Sequence, residues 1–312
     1  MFTDHEGRLY PAWSFLLSVA LTAVVLFASG YLAATFAGIH VVRFELVFRT
    51  ALALLLLAGY SWLLTVANHV ESHRLAMQGL PRAANSGREF LAGCAIGFVL
   101  IAITVAVIAV SGGITYRFTA GGSTVQRALL VLVILLMGSL AEELMFRGYP
   151  FQRLVEAIGP GGAILVFSVL FALMHLLNPG ANPLGMLNTV VIGIGLSIAY
   201  LRTRSLWLPW GFHFAWNASM GLFFGLPVSG LRLFNVVIHA TPAGPRLLTG
   251  GTYGPEASIP GAAAVLIGTI VMLRAPLRWL AGPLETPPNT LRREDLPPVV
   301  TEPPQPPADL GL

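Results

Sequence analysis

The chain has 312 residues, of which 55% are hydrophobic and only 10% charged, with a net charge of +4. Soluble domains normally carry about 25% charged residues, because a globule of this size still needs a polar surface. That excludes an ordinary water-soluble enzyme and points to a polytopic membrane protein whose surface is mostly covered by lipid.

Eight segments are long and apolar enough for spanning helices, which need roughly 20 mainly apolar residues. They run approximately over 13–37, 45–68, 89–111, 125–147, 160–177, 184–202, 207–226 and 259–278. The expected fold is therefore an all-α transmembrane bundle of about eight helices over residues 1–282. The first segment is too long for a cleavable signal peptide and lacks a basic leader, so it is expected to stay as a membrane helix. No clean repeat relates the two halves.

All 18 basic side chains are arginine. They form no basic stripe with interleaved aromatics, so nucleic acid is not an expected partner. They fit topology control better. Arg74, Arg82 and Arg88 lie between helices two and three, Arg202 and Arg204 between six and seven, and Arg274, Arg278, Arg292 and Arg293 after the last. With both termini in the cytoplasm these clusters all fall inside; Arg117, Arg127, Arg232 and Arg246 dissent mildly. Residues 283–312 hold nine of the chain's 22 prolines and are expected to form a disordered or polyproline-like cytoplasmic tail. The single cysteine, Cys94, lies in an apolar run and reads as packing.

Ionisable groups inside spanning segments cost roughly 2.5–3.5 kcal/mol each, and usually face a cavity or a partner. Here they are Glu142, Glu143 and Arg147 in helix four, His175 in helix five, and His213 beside Asn217 in helix seven. His239, in a polar loop, looks incidental. Glu143 and Arg147 are four apart and can pair, while Glu142 points about 100° away. His213 with Asn217, and Phe171 with His175, likewise share helical faces.

The stretch "GPGG" at 159–162 signals a turn. Glu142 and His175 then each lie about 24 Å from it in an antiparallel hairpin and could sit at one depth, facing each other. Gly148 and Pro150 are candidate kinks in the helix between them. One tension remains. His213 falls near the cytoplasmic end of its helix and His175 near the opposite end, so they meet only if helices tilt or the uncharged link "NPGANP" sinks into the protein.

A glutamate facing a histidine can activate water, and a further histidine and asparagine can stabilise an oxyanion. That is the equipment of an amide hydrolase without a serine or cysteine nucleophile. The alternative is a zinc site on Glu142, His175 and His213 with one open position, although "HExxH" is absent. A metal-free, glutamate-dependent site is preferred, with zinc kept open. The bland readings are an interhelical hydrogen bond for His175 and a structural ion pair for Glu143 with Arg147.

Three motifs, in order on separate helices, carry a resemblance. "EELMFR" (142–147) fits EExxxR, "FALMH" (171–175) fits FxxxH, and "HFAWN" (213–217) fits HxxxN. Together they resemble the CPBP family of CAAX-prenyl endopeptidases and bacteriocin-processing enzymes, also called Abi, over a core of about residues 90–226. The resemblance implies an intramembrane endopeptidase. Glu142 would be the general base with His175 assisting, His213 and Asn217 would form the oxyanion site, and Glu143 and Arg147 would support them. It implies a membrane-associated peptide or protein substrate within a lipid bilayer. The lysine-free, arginine-, alanine- and proline-rich composition suggests a multi-pass protein of a bacterial inner membrane. A non-catalytic bacteriocin-immunity or binding protein, and a transporter with a proton site, are the competing readings.

Overall fold

The computed structural model describes residues 10–38, 44–70, 79–80, 85–118, 124–232 and 236–276. The proline-rich tail expected over 283–312 lies outside them. Long helices occupy α1 (Pro11–Gly38), α2 (Phe44–Val70), α3 (Ser86–Val110), α4 (Thr124–Arg147), α5 (Tyr149–His175), α6 (Pro183–Thr203), α7 (Trp207–Ala218) and α9 (Ile259–Arg274), with the single turn α8 at Arg246–Thr249. Helix is thus found at all eight expected positions. Among the described residues, four stretches are long and apolar enough to cross a membrane, 12–37, 86–110, 124–175 and 183–203, and 47–63 and 259–274 are shorter apolar helices. Phe27, Val110 and Leu165 stand exposed on their helices, as suits an apolar outer surface met by lipid rather than water.

Helix four does not run unbroken to the "GPGG" turn. It stops at Arg147, and Gly148 starts a new helix with non-helical backbone, φ −78° and ψ −142°. A β-carbon there would lie 2.1 Å from the Leu144 carbonyl oxygen, so the break admits only glycine. Pro150 sits in the first turn of α5, where its missing N–H has no helical acceptor to lose. The chain reversal falls at Gly159, with φ 82° and ψ 165°, a region open to glycine. What is numbered α5 is therefore two legs, 149–158 and 160–175.

Two apolar clusters organise the bundle. One gathers Ile101, Leu196, Phe212, Trp216 and Val265 with Val131, Ile134 and Leu135 of α4. The other gathers Val25, Tyr60, Phe151, Phe167 and Phe171 with Ala141, Leu144, Met145 and Phe146, also of α4. α4 thus runs between both cores, and its C-terminal turns carry the acidic pair. α3 and α7 meet backbone to backbone. β-Carbons at Gly93, Gly97 and Gly211 would lie 2.1, 2.5 and 2.1 Å from the carbonyl oxygens of Leu208, Phe212 and Phe90.

The all-helical expectation needs one addition. β1 (Ile114–Phe118) and β2 (Ile238–Pro242) form an antiparallel ribbon, with Thr115 opposite Thr241 and Arg117 opposite His239. It joins the connection after α3 to the one after α7, and His239, set aside as incidental, belongs to it.

Candidate active site

Arg147 is completely buried. Its Nη1 donates to Glu143 Oε1 at 3.2 Å, its Nη2 donates to the Gly193 carbonyl at 3.2 Å, and its Nε lies 3.5 Å from Ser197 Oγ. The guanidinium also stacks over the Phe171 ring, 4.7 Å from its centre. One side chain thereby ties α4 to α5 and α6. Charges this deep are retained only when paired and hydrogen-bonded.

Glu143 does more than balance that arginine. Its Oε1 also accepts from His213 Nδ1 at 2.8 Å. A carboxylate held by arginine can only accept, so the proton sits on Nδ1 and Nε2 is turned to the other side of the ring. There it comes within 3.6 Å of Glu142 Oε2. α7 is brought to this place by the glycine seam with α3 and by Trp210, whose indole N–H donates to the Leu136 carbonyl of α4 at 2.9 Å.

Glu142 is the less buried glutamate, with about a third of its side chain exposed, at 36%. Its Oε2 accepts no hydrogen bond. It lines a cavity of about 220 Å³ together with His175, Asn178, Asn217 and Ser229, and with apolar side chains of α1, α2 and α4 such as Leu26, Leu56 and Met145. The expected face-to-face pair of Glu142 with His175 is therefore modified. Both border one cavity, but the imidazole at 3.6 Å from Glu142 is His213. His175 donates from Nδ1 to the Phe171 carbonyl at 2.8 Å, which leaves Nε2 as its cavity-side nitrogen. Asn217 borders this cavity and a smaller one of about 40 Å³ behind it, which His175 and His213 also line.

The two histidines meet all the same, since both line the smaller cavity. In the link after α5, Asn178 lines the larger cavity, and Gly180 packs so tightly on the loop before α9 that a β-carbon would lie 2.3 Å from Thr252 Oγ1. No residue of the link Asn178–Pro183 is buried, so the expected sinking of the link is not seen.

One acidic residue at the site was not anticipated from sequence. Glu256, in the 3₁₀ turn Pro255–Ala257 before α9, lines the smaller cavity. Its Oε2 accepts from the Ser229 amide at 2.5 Å and hydroxyl at 3.0 Å, and its Oε1 from the Trp216 indole at 3.3 Å. Burial pushes its carboxyl above the usual carboxylate range, against the opposing pull of the Ser229 donors, the His175 charge and the Trp216 indole. The only local signal was a charged residue next to an apolar helix, since its partners lie 27 and 40 positions away.

For zinc, the carboxylate and two imidazoles would have to converge. Among the described residues no three His, Cys, Asp or Glu side chains form a group that could hold a metal ion. His213 and His175 each keep Nε2 free of a hydrogen bond, as zinc ligands would, but they do not converge with Glu142 into one three-donor group.

Residues 124–219 match the family model described as type II CAAX prenyl endopeptidase Rce1-like. The CPBP resemblance holds over this segment. It takes in all three motifs, from the acidic pair on α4 to Asn217 on α7. The matched family is one of peptidases, and with the apolar helices it makes this a membrane protein. No curated protein and no solved structure matches the chain.

Proposed function

We propose that the chain is an intramembrane endopeptidase that hydrolyses a peptide bond with a water activated by Glu142. The observation that carries this is the contrast within the acidic pair: Glu143 has no exposed surface and gives its Oε1 to both Arg147 and His213, whereas Glu142 is partly exposed and lines a cavity large enough for peptide backbone. A carboxylate that reaches a cavity able to hold water and substrate is what general-base catalysis requires.

In this reading a water in the cavity gives its proton to Glu142 while its oxygen bonds to the scissile carbonyl carbon. His175 Nε2 helps to orient that water. The oxyanion formed is held by the Asn217 side-chain amide and by His213 in its doubly protonated form, whose Nδ1–H is anchored on Glu143 and whose Nε2–H is the second donor. The C–N bond then breaks, and the proton held by Glu142 passes to the departing amine. No step runs through a metal. The apolar wall of α1, α2 and α4 residues suits a substrate with a lipid-like or strongly apolar segment, such as a membrane-associated peptide or a prenylated C-terminus. A bacterial inner membrane, and bacteriocin processing as the setting, are part of the same proposal.

The test uses purified full-length protein in nanodiscs and a quenched-fluorescent, farnesylated CAAX peptide. Glu142→Gln should lower kcat by at least about a hundredfold, within the range for loss of a general base, and change the thermal midpoint little. Elemental analysis of the same active sample should find no stoichiometric metal. Cleavage by Glu142→Gln at the wild-type rate would falsify the assignment, and a stoichiometric metal ion that activity requires would replace it with the zinc reading.

A further inference from the structure

Glu256 sits where three separate walls of the site meet. Its carboxylate binds Trp216, the neighbour of Asn217 on α7, and grips Ser229 through both amide and hydroxyl. Ser229 is one of two described non-glycine residues with positive φ, at 46°. For an L-residue that conformation is unfavourable and persists only where its surroundings enforce it.

The turn around Ser229 is also held by backbone contacts, none of which involves Ser229 itself. Val228 and Leu231 exchange backbone hydrogen bonds at 2.9 and 2.8 Å, and the Gly230 amide donates to the Tyr253 carbonyl at 2.8 Å. Gly230 also packs on the link after α5, with the Pro179 carbonyl 2.1 Å from where a β-carbon would be. Val228, Ser229 and Leu231 then line the same cavity as Glu142. The position of Glu256 is itself fixed. Asn188 of α6 donates to the carbonyls of Glu256 at 2.8 Å and Ser258 at 3.3 Å, and Ser258 caps α9 by accepting from Gly261 at 2.9 Å.

We propose that Glu256 is a positioning residue of this site: its carboxylate holds the 228–231 turn in its strained form, so that the turn walls the substrate cavity beside Glu142 and Asn217. This rests on the hydrolytic reading above. It gives Glu256 no part in proton transfer. Its contribution is the shape of the space in which substrate lies, so its loss should act on ground-state binding and appear in KM rather than kcat.

The experiment measures kcat and KM on the farnesylated peptide for Glu256→Ala, Glu256→Gln and Ser229→Val in full-length protein, and thermal midpoints without peptide. Glu256→Ala should raise KM at least about fivefold with kcat within about twofold of wild type. Glu256→Gln keeps an acceptor oxygen for Ser229 and should restore KM. Ser229→Val loses the hydroxyl donor and is a β-branched residue at positive φ, a genuine outlier, so it should raise KM as Glu256→Ala does. Without peptide, the midpoint losses of Glu256→Ala and Ser229→Val should be less than additive in the double variant, because they break one clamp.

A wild-type KM in Glu256→Ala overturns the proposal, as does a Glu256→Gln protein no better than Glu256→Ala, since then charge and not position matters. If Glu256→Ala does not fold, a wild-type KM in Ser229→Val overturns it alone. Additive midpoints, while the wild type cleaves the peptide, sink the clamp and spare the protease. A wild type that leaves the peptide intact removes the hydrolytic reading and this role with it, whereas coupled midpoints still identify the clamp.

Discussion

Adjacent glutamates at 142 and 143 face different environments and so carry different costs. Glu143 has no exposed surface and shares its Oε1 between Arg147 and His213. Removing its charge strands a buried guanidinium, a loss that typically costs about 3–5 kcal/mol. Glu143→Gln is therefore expected to lower the thermal midpoint clearly, whereas Glu142→Gln, which loses only a 3.6 Å contact with His213 on a partly exposed side chain, should change it little. Thermal unfolding in nanodiscs checks this, and equal midpoints for the two variants would contradict the division. Sequence spacing had revealed the i,i+4 pair of Glu143 with Arg147. It could not reveal His213 as a third member, because that contact spans 70 positions and helical periodicity gives faces, not partners.

At the scale of elements, the site depends on how closely α7 is drawn in. The Gly93, Gly97 and Gly211 contacts leave no room for a β-carbon, and their obstacles are backbone atoms that cannot rotate away. Gly97→Val should therefore push Phe212 off α3 and carry His213 with it. The expected outcome is a lower thermal midpoint together with loss of peptide cleavage despite an intact Glu142. Gly30→Ala on α1 meets nothing within 4 Å and serves as the silent control. An active, stable Gly97→Val protein would show that the seam does not set the site. Most helices were legible, since apolar runs bracket them to within a few residues, but the run 207–226 overshoots α7, which ends at Ala218, and α5 begins at Tyr149, well before the run 160–177. The break at Gly148 was anticipated as a kink. The ribbon was not, because five-residue strands such as "ITYRF" carry too short an alternation to stand out beside apolar runs. Glu256 was illegible for a related reason: a turn residue has no period, and its meaning comes only from Trp216 and Ser229 arriving from elsewhere.

For the whole molecule, the ribbon constrains topology. Strands that pair must lie on one side of any membrane the bundle spans, so the connections after α3 and after α7 share a face. That agrees with an even number of crossings between them, as the arginine pattern requires. In a Cys94→Ala background, Thr115→Cys with Thr241→Cys should form a disulfide under mild oxidation, their Cα atoms being register partners. In sealed vesicles both single-cysteine variants should react with an impermeant maleimide from the same side. Labelling from opposite sides would break the topology.

The length of α7 has a consequence for the solvent. Its 12 residues rise only about 18 Å, against about 30 Å for a hydrocarbon core. The chain then passes through the π-helical turn Ser219–Phe223 and irregular backbone to the Ser229 turn. Polar backbone that begins so early within the slab invites hydration from that side. In the proposed reaction, the water then needs no long channel, only a short dry interval set by local bilayer thickness. Turnover should accordingly rise in nanodiscs of shorter-chain lipids and fall in longer-chain ones, at equal substrate occupancy. A rate indifferent to acyl-chain length would mean that water reaches Glu142 by a route sealed from the lipid.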